Sequence, residues 1–168
     1  SWLTQEKETD SSIIADLLGS LPSGEDVTKV ETYTGAFNSG PSVKARAWQL
    51  DVYGNGSLTR IRSEKFVGGI AQGTFNYMEQ LSVATTATVF SELGGVASDG
   101  DEVTEVFGYK NNTWAESARK SHAFQMEKGE TTYLKSLKVK ADGTDKADDI
   151  SWLTQEKETD SSIIADLL

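Results

Sequence analysis

The chain contains the stretch SWLTQEKETDSSIIADLL twice without a single difference, at residues 1–18 and again at residues 151–168. Natural repeats drift in sequence, so an exact copy indicates either an engineered chain or a piece of an array of near-identical units. We therefore divide the chain into one β-rich repeat unit, residues 1–150, and an exact second copy of its opening segment, residues 151–168. The fold has to place both copies.

The second half of this segment predicts an amphipathic helix. Asp10 is a suitable N-cap residue, and Gly19 and Pro22 are suitable to end the helix. The apolar side chains recur at helical spacing and lie on one stripe. In the two copies they are Ile13, Ile14, Leu17 and Leu18, and Ile163, Ile164, Leu167 and Leu168. The first half of the segment, residues 2–8, is either a separate turn or an extended lead-in.

A fold of this length needs the helix only once. The other copy is then free to occupy the same groove on an identical molecule, which is the arrangement of domain swapping and of head-to-tail assembly. The eight apolar residues of the two helices are therefore the predicted self-association contacts. Two alternatives remain open: an unstructured extra copy, and an engineered, circularly permuted or fold-switching form of a β-domain.

Residues 43–67 predict a hairpin that turns at Asn55-Gly56, the strongest short-range signal for a type I′ turn. Counting outward from that turn places Asp51 opposite Arg60 as an ion pair on the solvent face. The same count places apolar side chains on the core face: Trp48, Leu50, Val52 and Ile61. The cationic side chains of the hairpin should then form an outer strip: Lys44, Arg46, Arg60, Arg62 and Lys65.

Further strands are predicted at residues 27–34, 75–89 and 103–109, and on both sides of a turn at Lys128-Gly129. The connections between them are short and turn-like, which favours antiparallel pairing. The predicted fold class is mainly β: an antiparallel β-sandwich or barrel with one amphipathic α-helix, formed by the repeated segment.

Composition excludes several kinds of protein. The formal net charge of −10 disfavours binding to a phosphate backbone, so no nucleic-acid partner is expected. No apolar run approaches membrane-spanning length and no signal peptide is visible, which predicts a soluble protein with no membrane partner. Cysteine is absent, which excludes disulfides and thiolate sites. No cofactor is expected.

No catalytic set is apparent. The single histidine, His122, follows Ser121, and neighbouring residues of a strand point to opposite faces, so the two cannot act as nucleophile and base. His122 is predicted to be an ordinary strand residue, and the protein is predicted not to be an enzyme. A hydrolase that uses two carboxylates remains an alternative, but no particular pair stands out.

Two other kinds of site have weak candidates. Four carboxylates in a glycine-containing stretch could hold Ca²⁺, although their spacing does not match an EF-hand: Asp142, Asp145, Asp148 and Asp149. Solvated acidic turns are the simpler interpretation. A small-molecule carrier is the other alternative, because a barrel of this size could enclose a ligand between inward-facing side chains. Its candidates are Trp48, Phe75, Tyr77, Phe124 and Met126.

Several stretches resemble the β-rich domains of short-tailed phage tail nozzles. The residues AFQMEKG at 123–129, LKVKADG at 137–143 and TDSSIIADLL at 159–168 are similar to their strand, Asp-Gly turn and helix. The stretch VFGYKNNTWAE at 106–116 is similar to their Tyr-turn-Trp-x-Glu hairpins. The resemblance covers less than half of the chain, and its pieces stand in a permuted order. It implies a structural role in a virion or tube, with no catalytic residues to carry over.

The leading hypothesis is therefore a non-enzymatic structural module that associates with copies of itself through the repeated segment, in a homo-oligomer or filament. The sequence leaves its location open; a virion or an extracellular assembly is compatible with this hypothesis.

Overall fold

The computed structural model describes residues 2–21, 26–35, 40, 42–84, 93, 97–98 and 101–156. Its strands are β1 (Trp2–Lys7), β2 (Thr28–Thr34), β3 (Ser42–Asp51), β4 (Leu58–Val67), β5 (Ile70–Ala84), β6 (Glu102–Tyr109), β7 (Arg119–Lys128), β8 (Thr131–Val139) and β9 (Asp145–Glu156). The helix α1 (Ser11–Leu18) follows β1, and a short 3₁₀ helix (Glu116–Ala118) precedes β7.

The strands of the described residues form a single sheet in which each strand pairs with the next one along the chain. All eight pairings are antiparallel. The predicted class, a mainly β antiparallel fold with one α-helix, is confirmed for the described residues. A sandwich or barrel is not confirmed, because β1 and β9 are the two edges of this one sheet and do not pair with each other.

One face of the sheet carries the core, and we call it the helix face because α1 packs on it. Residues directly opposite each other on paired strands share a face. One row of the helix face crosses the sheet in the order Leu50, Arg60, Glu79, Phe107, His122, Leu137 and Ile150. This row crosses both halves of the sheet, and residues two positions away along the regular parts of each strand share its face.

Within the described residues, the core has three buried clusters. The first lies under α1 and contains Leu17, Val27, Trp48, Leu50 and Val52. The second contains Tyr77, Phe107, Tyr109 and Ala118. The third lies towards β7 and β8 and contains Leu93, Ala97, Val103, Phe124 and Met126.

The helix α1 begins and ends where local chemistry predicts. Asp10 is its N-cap and accepts the amide hydrogen of Ser12 over 2.8 Å, and Gly19 ends it with φ +57°. Leu17 is completely buried against the sheet. In front of the helix, residues 2–7, whose conformation the sequence left open, form the edge strand β1.

The predicted register of the β3–β4 hairpin is wrong by one residue. The structure pairs Leu50 with Arg60 and Asp51 with Thr59. The connection is longer than a two-residue turn, because the amide of Val52 donates to the carbonyl of Leu58 and closes a loop in between. A slip of one residue turns every side chain of a strand to the other face. Arg60 therefore lies on the helix face.

The predicted ion pair between Asp51 and Arg60 is accordingly absent from this hairpin. Asp51 accepts the amide hydrogen of Gly56 inside the loop, over 2.8 Å. Arg60 pairs with Glu79 of β5 instead, over 2.8 Å. Ile61, expected in the core, pairs with Gln49 on the opposite face.

The other predicted strands are present, and their ends differ from the predicted ends by a few residues. The long strand predicted from residue 75 begins earlier, at Ile70, and is described as far as Ala84. The rest of that prediction, residues 85–89, lies outside the described residues.

Candidate self-association surface

The first copy of the predicted association helix is already used inside its own fold. Leu17 is buried, and Ile13, Ile14 and Leu18 pack around it against the first core cluster. The corresponding residues of the second copy, Ile163, Ile164, Leu167 and Leu168, lie outside the described residues. The groove for this helix is therefore defined by the first copy.

Polar contacts fix α1 in that groove. Arg60 donates from Nη1 to the carbonyl oxygens of Leu17 and Leu18, over 2.8 and 2.7 Å. The Trp114 indole donates to the carbonyl of Asp16 over 2.8 Å. The last carbonyls of a helix have no partner within the helix. Strand β4 and the segment between β6 and the 3₁₀ helix supply these partners, so the groove contacts the end of this helix as well as its apolar stripe.

The carboxylate of Asp16 adds side-chain contacts to the same docking. It accepts hydrogen bonds from the hydroxyl of Tyr77 over 2.8 Å and from Arg62 over 3.1 Å. Burial and the hydrogen bond to Asp16 raise the pKa of Tyr77 to about 12, so its hydroxyl keeps its proton and donates at neutral pH.

Between β1 and α1, Glu8 ties the segment to the sheet. Its carboxylate accepts the amide hydrogens of Thr9 and Asp10 over 2.8 and 2.9 Å, and the indole hydrogen of Trp48 over 2.7 Å. These bonds, first of all the one from the Asp10 amide, hold the pKa of Glu8 below its usual value. The charged carboxylate thus orients the turn from strand to helix.

The first half of the segment forms an edge strand in both copies. In the first copy, β1 pairs with β2, from Trp2 opposite Tyr33 to Lys7 opposite Thr28. In the second copy, Ser151–Glu156 form the last half of β9 and pair with β8, from Ser136 to Thr131. One sequence therefore occupies both edges of the sheet.

Both edges expose large apolar side chains. Trp2 and Leu3 are 48% and 55% exposed, and their counterparts Trp152 and Leu153 are 55% and 49% exposed. The ammonium group of Lys135 lies 5.2 Å from the ring centre of Trp152. Edge strands present backbone donors and acceptors that can pair with another chain, and here apolar side chains accompany them.

The cationic outer strip predicted for the hairpin is not formed by its arginines. Arg46 bonds to Glu31 over 2.6 Å and to Glu64 over 3.2 Å. Arg60 and Arg62 lie on the helix face and bond to Glu79 and Asp16. These arginines hold strands and helix together, so they do not form the cationic outer strip that the sequence predicts.

His122 makes more contacts than an ordinary strand residue, which the sequence did not reveal. Its ring is buried; Nε2 lies 2.8 Å from Glu105 and Nδ1 lies 2.9 Å from Asp145. Burial lowers its pKa, but the two carboxylates outweigh this effect and the pKa is raised. Asp145 begins β9, so this histidine connects β6 and β7 to the strand that carries the second copy. No sequence pattern indicates this contact, because Glu105 and Asp145 are distant from His122 in the chain and meet it only in the folded structure.

The carboxylates considered for Ca²⁺ have separate tasks. Asp142 accepts hydrogen bonds from the amide and hydroxyl of Thr144, and Asp145 binds His122. Asp149 lies 3.5 Å from both Lys138 and Lys146. Asp148 is exposed on β9. In the described part of the chain, no group of three or more His, Asp or Glu side chains could hold a metal ion.

The aromatic and apolar residues proposed for a carrier all lie on the helix face, but they belong to different clusters. Trp48 and Phe75 pack with α1, Tyr77 packs edge-on against Trp114, and Phe124 and Met126 lie in the third cluster. These residues therefore belong to three separate core clusters and do not line one common cavity wall.

Comparison with known proteins gives no family for the chain: no protein-family model, curated protein or solved structure matches it. The resemblance to phage tail-nozzle domains stays a prediction. Among the described residues, no helix is long and apolar enough to span a membrane.

Proposed function

We propose that this protein is a structural subunit that associates with copies of itself through the repeated segment. The observation that carries the proposal is that one sequence forms the edge strand at both ends of the sheet. A site that accepts residues 2–18 of its own chain also fits residues 152–168 of another chain, because the two segments are identical. Such a contact joins two different surfaces, so it can continue from molecule to molecule.

The groove favours this segment over a general apolar peptide. It offers Arg60 and Trp114 to the end of the helix, and Arg62 and Tyr77 to Asp16. The second copy carries the same carboxylate as Asp166. Specificity arises here because buried polar groups would remain unpaired with a different helix.

The partner is therefore a second copy of this chain, in a homo-oligomer or filament. A structural role in a virion or tube fits the resemblance to phage tail-nozzle domains, and its location would then be the virion or an extracellular assembly. The carrier alternative has less support, because its candidate residues are divided among three core clusters and the strands of the described residues form an open sheet.

Molar mass measured by light scattering over a concentration series tests the proposal. The full chain is compared with a chain that ends at Glu156, which retains β9 and lacks residues 157–168. We expect the mass of the full chain to rise with concentration and that of the shorter chain to stay at one molecule. Equal masses at every concentration would contradict association through the second copy.

A further inference from the structure

We infer that the repeated strand is a joint shared by two molecules: residues 151–156 stay paired with β8 of their own chain and simultaneously take the place of β1 beside β2 of a second copy. Residues 157–168, which repeat the sequence of residues 7–18, then take the place of α1 in the groove of that second copy. This inference rests on the proposed function and specifies its geometry. Three features of the two edges support it: the direction of the backbone groups, the side-chain faces that go with it, and the neighbouring residues.

The backbone hydrogen bonds of β1 show which of its residues face β2 and which face away from the sheet. The amide of Glu8 donates to the carbonyl of Val27 over 2.8 Å, which continues the ladder between β1 and β2. Successive residues of an antiparallel strand direct their N–H and C=O groups to opposite edges. Trp2, Thr4 and Glu6 therefore direct these groups towards β2, and the odd-numbered residues of β1 direct theirs away from the sheet.

At the other edge of the sheet the assignment is reversed. The amide of Lys140 donates to the carbonyl of Thr144, so the even-numbered residues of β8 direct their backbone groups towards β9. The register shift near Val139 places its extra residues in β9 and leaves the alternation of β8 intact. The residues of β9 that bond to β8 are then odd-numbered: Ser151, Leu153 and Gln155. The outward ones are Trp152, Thr154 and Glu156.

The two assignments are complementary. The residues that direct their backbone groups outward from β9 have the same place in the repeat as those that bond β2 in the first copy. A single strand can therefore satisfy β8 on one side and β2 on the other without using any backbone group twice. Had the two edges used the same set of residues, one strand could not have served both.

The side chains agree with the backbone. Trp48, on the helix face, lies opposite Lys29, which lies opposite Glu6. Ile150 ends the row of the helix face that starts at Leu50, and Trp152, two residues further on, shares its face. Even-numbered residues of both copies thus point to the helix face. A sheet joined through this strand keeps one core face and one outer face across the joint.

The neighbours on the two sides are compatible with one strand. The repeated tryptophan would lie between Lys135 of one molecule and Tyr33 of the next, as Trp152 and Trp2 do separately. The repeated glutamate would lie between Thr131 and Lys29, and Glu6 already bonds to Lys29 over 2.6 Å. No like charges are brought opposite each other in these rows.

Energetically, exchange of one copy for an identical one is close to neutral, because the bonds lost by the first copy equal those gained by the second. A change confined to the first copy should shift this balance. Leu17→Ala removes a buried side chain from the first copy, while the second copy keeps Leu167. We therefore expect the Leu17→Ala chain to associate at lower concentration than the unmodified chain, and addition of Leu167→Ala to reverse that gain.

Disulfide formation between two molecules tests the joint, and the chain contains no cysteine of its own. Gln5 lies opposite Val30 as a non-hydrogen-bonded pair, whose Cα atoms are close enough for a disulfide. In the Leu17→Ala background, one chain carries Val30→Cys and an isotope-labelled chain carries Gln155→Cys. The two are mixed, oxidised and analysed by mass spectrometry. A single chain with Gln5→Cys and Val30→Cys is the positive control.

Register is controlled by Ser151→Cys, which lies on the same face of the strand as Gln155 but four residues away. The inference expects a cross-link of Val30→Cys to Gln155→Cys at least about tenfold more abundant than to Ser151→Cys. Association by light scattering without this preference would overturn the shared strand and leave the proposed function standing. If the reduced chains fail to associate at all, both the shared strand and the proposed function are wrong.

Discussion

Arg60 of β4 donates a hydrogen bond from Nη1 to the carbonyl of Leu17, at the end of α1, over 2.8 Å. The same guanidinium bonds from Nε to Glu79 and lies 4.4 Å from the ring centre of Trp114. Glu79 also accepts a hydrogen bond from Tyr109, and burial with this bond raises the pKa of Tyr109 to about 12. One buried arginine thus links the helix of the repeated segment to the centre of the sheet.

Arg60→Met should lower the free energy of unfolding by about 3–5 kcal/mol, because it leaves the carboxylate of Glu79 buried without its cation. Denaturant titration followed by tryptophan fluorescence measures the change. Lys7→Met is the matched control, since Lys7 and Asp26 form an ion pair that is largely exposed, and it should change stability by less than about 1 kcal/mol. Similar losses in the two variants would contradict the structural role of Arg60.

The two copies of the repeated segment allow the same substitution to be compared in two places. Leu17→Ala should cost about 2–5 kcal/mol, since Leu17 is fully buried. In dilute solution, Leu167→Ala should have little effect, because the first copy occupies the groove. Denaturation midpoints of the two variants at low concentration measure the difference. If both substitutions had equal effects, either copy would be able to fill the groove of its own molecule.

His122 should make stability depend on pH. Its folded pKa is raised, so its contribution is fully present below the pKa of the unfolded chain and is lost as the pH rises through the folded value. We therefore expect the free energy of unfolding to decrease as the pH rises above about 6.5, the usual pKa of histidine. Denaturation midpoints between about pH 6 and pH 9 measure the slope.

His122→Gln should remove that slope, since glutamine does not titrate. The chain has a single histidine, so its ring proton signal in an NMR titration reports the folded pKa directly. A folded pKa below that of histidine in an unfolded peptide would contradict the ion pairs of His122 with Glu105 and Asp145.

Gly143 illustrates a position where glycine is required by close packing. A Cβ atom there would lie 2.1 Å from the carbonyl oxygen of Glu116, and φ is +87°. Gly143→Ala should therefore lower the melting temperature clearly more than Gly129→Ala, which has a φ of +64° and open space around it. The control carries only the backbone strain of a left-handed conformation, about 1–2 kcal/mol. Equal shifts in calorimetry would count against the contact between the 3₁₀ helix and the turn before β9.

The sequence by itself determined the parts of this protein that depend on near neighbours in the chain. The limits of α1 follow from the N-cap at Asp10 and the glycine at Gly19, and the hairpins follow from turn residues between alternating strands. These features require only contacts within a few residues, so they can be predicted from the sequence alone.

Tertiary structure decided the register, the shape of the sheet and the partners of the charged residues. The β3–β4 hairpin is shifted by one residue relative to the turn signal, so that Arg60 meets Glu79 and the end of α1. Residues 2–7 have no strong pattern and become a strand because β2 offers an edge. His122 meets carboxylates from β6 and β9. Such choices depend on burial and on pairing between distant segments, whose free energies no local pattern contains.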